Sequence, residues 1–245
     1  MMKRVLLAVF AGVVGLFGLV ACGGGSNESE VPSSASSKKA ADLSKWNPHE
    51  WKPTVKVSLP VMSDSEKRQW LRSYLANLAR SDNISNPPEG IEPIRFATSR
   101  KEYHEEIAAC LTDHGFNAKA GPDGGTYYSP GVPDSQTEAL NLARYECNAL
   151  YPPDPAFVTD WNEDQLALVY DYWTQYYTPC MADAGYTVDN SNQPTKELFI
   201  EKFFTPDRIN WWPSNFSGLL PMDEQWELVE HCPPYPPDEF MYGVR

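Results

Sequence analysis

Cysteine, a large aliphatic, aspartate, glycine and an aromatic recur at one spacing in two heptapeptides, CLTDHGF at 110–116 and CMADAGY at 180–186. Each is followed by a second cysteine, Cys147 or Cys232, which leads into Tyr-Pro-Pro-Asp at 151–154 or 235–238. Two matched motifs in matched order point to duplication of one unit. The match is not uniform: the paired cysteines stand 37 residues apart in the first unit and 52 in the second. Upstream, Tyr103 precedes Cys110 by seven residues, whereas Tyr172 precedes Cys180 by eight. Four cysteines allow three pairings. Cys110–Cys147 with Cys180–Cys232 gives each unit its own bridge; Cys110–Cys180 with Cys147–Cys232 is equally symmetric and stays open.

The periodicity around these motifs is mostly helical. Ser63 and Glu66 form a capping-box pattern, and Trp70, Leu71, Tyr74, Leu75 and Leu78 then fall on one helix face. Residues 91–98 read as extended, with Pro93 favouring an edge. A helix over 99–114 ends at Gly115, placed to adopt the left-handed conformation while Phe116 packs back. GPDGG at 121–125 reads as a hairpin turn, and 135–150 as a second helix. In the second unit Asn162 caps a helix through YDYWTQYY, Pro179 kinks it, and Gly185-Tyr186 end it. A short helix over 195–205, an insertion PDRINWWPSNFSGLL and a closing helix over 222–232 complete it. The expected fold class is mainly α with small β elements (α+β). It comprises two similar helix–hairpin–helix units, about 87–154 and about 160–238, each with one disulfide, in a single compact domain over 63–245.

The amino terminus constrains compartment. Met-Met-Lys-Arg precedes an apolar run over 5–21 that ends in Leu-Val-Ala-Cys, so residues 1–21 read as an export signal. Leu19-Val20-Ala21-Cys22 resembles the lipobox of bacterial lipoproteins, which implies a type II signal peptide and a lipid-bearing Cys22. Outside the cytoplasm an even set of four remaining cysteines is expected to form two disulfides. Residues 22–62, rich in Gly, Ser and charge, read as a flexible tether that Trp46 and Trp51 interrupt. Removing Lys3 and Arg4 from 20 Lys+Arg leaves 18 against 33 Asp+Glu, a net charge of −15. Nucleic acid is therefore a poor partner, and the acyl group, not surface charge, must hold the bilayer. RFATSRKEYHEEIAACLTDHGF, ARYECNALYPPDP and YDYWTQYYTPCMADAGYTV resemble segments of uncharacterised actinobacterial lipoproteins with paired cysteines. That resemblance implies the extracytoplasmic face of a Gram-positive cell membrane, and it implies no activity.

Chemistry-bearing motifs are sparse. G-x-S-x-G and H-E-x-x-H are missing, and no cysteine spacing suits zinc, so neither a metal nor a cofactor is expected. His104 and His114 lie ten apart on one helix and so face different ways. Asp113 and Asp183 repeat with the motif and read as partners for tertiary bonds rather than as a glycosidase pair. Asp189-Asn-Ser-Asn-Gln-Pro lacks the glycine and glutamate of a calcium loop. Aromatics are dense after residue 150, with 19 in 95 residues against 10 in the preceding 129. Tyr172, Trp173, Tyr176, Trp211 and Trp212 are therefore expected to build a surface for a glycan or peptide ligand. A binding module ranks ahead of a structural envelope protein, and both ahead of a hydrolase of cell-wall glycan.

Overall fold

The structure, a computed structural model, describes residues 42–122 and 124–243. The signal, Cys22 and the first part of the tether lie outside those residues. The fold is mainly helical with one small two-stranded sheet. Among the described residues no helix is long and apolar enough to cross a membrane.

The first unit is built as the motifs require. Helix α1 (Asp64–Ser81) starts at the Ser63/Glu66 capping box. Helix α2 (Arg100–Asp113) is capped by Ser99, and the antiparallel pair β1 (Ala118–Ala120) and β2 (Thr126–Tyr128) follows in the register Ala118↔Tyr128. Helix α3 (Thr137–Leu150) returns across α2. Cys110 and Cys147 are joined, with Cα atoms 5.8 Å apart, and sit in a core with Ile107, Leu111, Phe116 and Ala143. Residues 91–98 run extended beside the end of α3 without forming a strand. Ile94 N–H donates to Leu150 O at 2.8 Å and Ala97 N–H to Pro152 O at 3.0 Å.

The second unit keeps this frame with different filling. Helix α4 (Glu163–Tyr172) starts at an Asn162/Gln165 capping box and passes through a π-helical turn (Trp173–Tyr177) into α5 (Thr178–Asp183). Then come α6 (Lys196–Lys202), a 3₁₀ segment (Pro213–Leu219), α7 (Met222–Val229) and the short α8 (Asp238–Met241). Among the described residues the strand pair belongs to the first unit alone; the hairpin expected in the second is replaced by α6 in the corresponding stretch. Cys180 is joined to Cys232, so each unit carries its own bridge and the cross-unit pairing is not adopted.

The duplicated heptapeptide is a helix stop. Gly115 and Gly185 have φ of 90° and 88°, which a side chain would strain. Phe116 N–H bonds to Leu111 O and Gly115 N–H to Thr112 O, both at 2.9 Å; Tyr186 N–H bonds to Met181 O and Gly185 N–H to Ala182 O at 2.9 and 3.0 Å. This is the Schellman pattern, formed twice on the same letters.

The unequal tyrosine spacing has an equally local cause. In the π turn Thr178 N–H reaches back five residues to Trp173 O, so the helix absorbs one extra residue. Pro179 stands just beyond, where it can neither donate an N–H nor tolerate an α-helical carbonyl four residues back.

Residues 42–62 are not held off the body. Leu43, Trp46, Trp51, Val57 and Leu59 pack against the second unit's core, and the one regular element there is the 3₁₀ turn Pro48–Glu50. Two tryptophans anchor a segment whose composition otherwise reads as solvated coil.

Candidate functional site

The aromatic surface expected from the sequence is mostly core. Tyr172 and Trp173 are 0% exposed, and Tyr176 and Trp211 are also buried; of the five, Trp212 alone reaches solvent. The helix that carries the first three is enclosed by the chain after α7, which offers carbonyls to their polar tips. Tyr172 OH donates to Pro233 O at 3.0 Å, Trp173 Nε1–H to Pro234 O at 2.8 Å, and Tyr176 OH to His231 O at 2.6 Å. Satisfied tips remove the main penalty for burying such rings, so they pack as large apolar residues. Burial pushes the Tyr172 hydroxyl well above its ordinary pKa. With residues 42–62 and the chain after α7 in place these four residues do not face solvent, and helix periodicity could not reveal this because part of the covering chain lies some sixty residues downstream.

A smaller site stands next to them. A pocket of about 270 Å³ is lined by Asp189, Ser191 and Asn192 from one loop and by Asn210, Trp212 and Asn215 from the insertion, with buried Trp211 between. The two walls are tied together, because Trp211 Nε1–H donates to Asn190 Oδ1 at 3.1 Å. Asp189 is fixed by the Ser191 N–H at 2.8 Å, and this bond with the Ser191 hydroxyl holds its carboxyl below the usual range. Trp212 is wedged against Phe203 and Trp173, with ring centroids 5.2 and 5.5 Å away, and the Arg208 guanidinium lies 5.8 Å from its ring. Three amides, one ionised carboxylate and one partly exposed indole converge here.

That set can donate and accept hydrogen bonds and present an aromatic surface. It contains a single carboxylate, so it lacks the acid and base pair that glycoside hydrolysis needs. The Asp189 loop brings no second carboxylate to that pocket. The sequence signal for the pocket was the asparagine and serine content on both sides of the Trp211-Trp212 pair and in residues 189–192. It was legible only with the contact between those two stretches in hand.

The other candidates resolve into structural roles. Among the described residues, Cys110, His114 and Cys147 have metal-ligand proximity, but both sulfurs are consumed in the disulfide. His114 lies 3.6 Å from Glu146. Asp183 makes tertiary bonds, to side chains of residues 42–62 rather than to backbone or Arg, accepting from Lys45 Nζ at 2.7 Å and from Trp46 Nε1–H at 2.9 Å.

Compared with known proteins, the chain matches no family model, and no curated protein or solved structure is significantly similar to it.

Proposed function

We propose that this protein is a lipid-anchored module on the extracytoplasmic face of the cell membrane. In this reading its ligand site is the pocket beside Trp212, and its ligand is a small neutral polyhydroxylated molecule such as a sugar. The export reading rests on the Leu-Val-Ala-Cys sequence at 19–22, and two disulfides are consistent with an oxidising compartment. The observation that carries the ligand reading is the convergence of Asn192, Asn210 and Asn215 beside a half-buried indole. Amides pair with hydroxyls in both senses, and an aromatic face suits the apolar face of a sugar ring. The volume lies just below the ~300–1,000 Å³ typical of sites for drug-sized ligands, which favours one or two rings. The acidic body disfavours anionic ligands.

Two experiments test the two halves separately. Cys22→Ser should abolish metabolic lipid labelling and processing by the type II signal peptidase; continued labelling would refute the anchor. Calorimetric titration with neutral saccharides and cell-wall glycan fragments should show binding that Trp212→Ala and Asn210→Ala both weaken. Binding unaffected by either change would refute the pocket, and absence of binding across the set would leave an envelope structural protein as the better reading.

A further inference from the structure

Residues 43–57 cross the second unit as a strap broken by the 3₁₀ turn Pro48–Glu50, and their contacts have the form of a bound peptide. Trp46 meets Tyr176 edge-on at 5.1 Å, and Trp51 meets Tyr172 in the same manner at 5.2 Å. Tyr172 and Tyr176 are themselves stacked at 5.0 Å, so the two tryptophans sit on a continuous aromatic base. Polar groups fix the register. Asp183 takes both Lys45 and the Trp46 indole, the Trp46 carbonyl meets His231 Nδ1 at 2.9 Å, and His49 Nδ1 meets Glu239 at 2.5 Å. Further along, Thr54 donates to Asp171, which also holds Lys196.

Three features separate this strap from an ordinary core element. Its side chains are only partly covered, Pro48 excepted, while the tyrosines beneath are fully enclosed, which is the relation of ligand to site. It leads into α1 through a stretch where Val61 is 96% accessible, so the link between strap and α1 lies in solvent. Its charge also opposes that of the body. Residues 42–62 carry three lysines against Asp42 and Glu50, net +1, whereas 63–245 carry 13 basic against 29 acidic residues, net −16.

We propose that the Tyr172–Tyr176–Asp183–His231 face is a recognition site for a segment bearing Lys-Trp, filled here by the chain's own strap and open to exchange with the same segment of a second copy. The inference is independent of the pocket beside Trp212. Exchange needs no new contact: the partner's strap reproduces every bond of the resident one, as in domain swapping through a pliant hinge.

The test uses the full chain with a protease recognition sequence inserted between Val61 and Met62, cut only after folding and bridge formation. A fluorescently labelled peptide of residues 42–61 is then added and followed by anisotropy. The cut protein should bind the peptide saturably while the uncut protein binds at least tenfold less. Trp46→Ala in the peptide, or Asp183→Ala in the protein, should each weaken binding tenfold or more. Failure of the peptide to enter the cut protein would overturn the proposal, because the strap is then a permanent part of the core. Loss of the helical circular dichroism signal on cutting would overturn it equally, because the face does not then exist without its occupant.

Discussion

Tyr103 and Tyr172 are equivalent residues although their spacing to the motif differs. Each hydroxyl donates to the residue that directly follows the second cysteine of its own unit, Asn148 Oδ1 at 2.7 Å and Pro233 O at 3.0 Å. The π turn after Tyr172 makes this possible, since it takes up the eighth residue without rotating Tyr172 away from Cys180.

One prediction follows from that turn. Deleting exposed Gln175 should convert the segment to ordinary α-helix and leave the Cys180–Cys232 bridge intact. Deleting Ala167, buried in α4, should instead turn the flanking faces by about 100° relative to one another and prevent folding. Thermal unfolding and non-reducing peptide mapping distinguish them; equal damage from both deletions would contradict the equivalence.

The bridges close loops of 37 and 52 residues, which in the chain-entropy model contribute about 4 kcal/mol each. Replacing either pair by serine should lower the urea midpoint substantially, and reduction of both should unfold the body. A midpoint shifted by less than that of a single core alanine would show that the bridges are incidental.

Adjacent tryptophans should behave oppositely. Trp211 is 2% exposed and packs on Tyr170, Trp173 and Phe199, so Trp211→Ala should cost about 3–5 kcal/mol. Trp212→Ala should cost clearly less and act on saccharide binding. Denaturation and titration of both variants provide the comparison.

Docking of the strap should depend on pH through Asp183. Hydrogen bonds from Lys45 and Trp46 hold its carboxyl below the ordinary range, and Lys45 adds charge attraction. A lowered folded pKa means that the contribution is complete above the ordinary aspartate range and is lost as pH falls through the lowered value. Asp42 lies close by and is likewise held low, by Ser44, so it titrates in the same window. A fluorotryptophan resonance from Trp46 should therefore shift below about pH 4, the ordinary aspartate value, and Asp183→Asn should abolish most of the step. A Trp46 signal constant down to the unfolding of α4 would exclude this linkage.

Much of the frame was legible in the sequence because its determinants are local. Capping boxes at Ser63 and Asn162, helix-stopping glycines at 115 and 185 and the Gly-rich turn of the hairpin act within a few residues. The π turn left a trace, the unequal tyrosine spacing, but its meaning required the helix itself. The site was legible only in part. Which aromatic faces water depends on Pro233 and Pro234 covering Tyr172 and Trp173, and on Asn190 binding Trp211, all long-range relations that periodicity does not carry. Docking of the strap was hidden for the same reason, since its receptors are Asp183 and the tyrosines more than a hundred residues away.

The two Tyr-Pro-Pro-Asp motifs have come to serve different neighbours. Asp154 holds Lys67 of α1 at 2.5 Å, within the stretch leading to its own unit. Asp238 instead reaches into the other unit, accepting the Arg100 Nε–H at 2.6 Å and its backbone N–H at 2.7 Å, while an Arg100 NH2 group donates to Pro236 O at 3.1 Å. The second motif therefore ties the end of one unit to the start of α2 in the other, so cutting the chain after the first unit would strip Arg100 of its partners on both side chain and backbone.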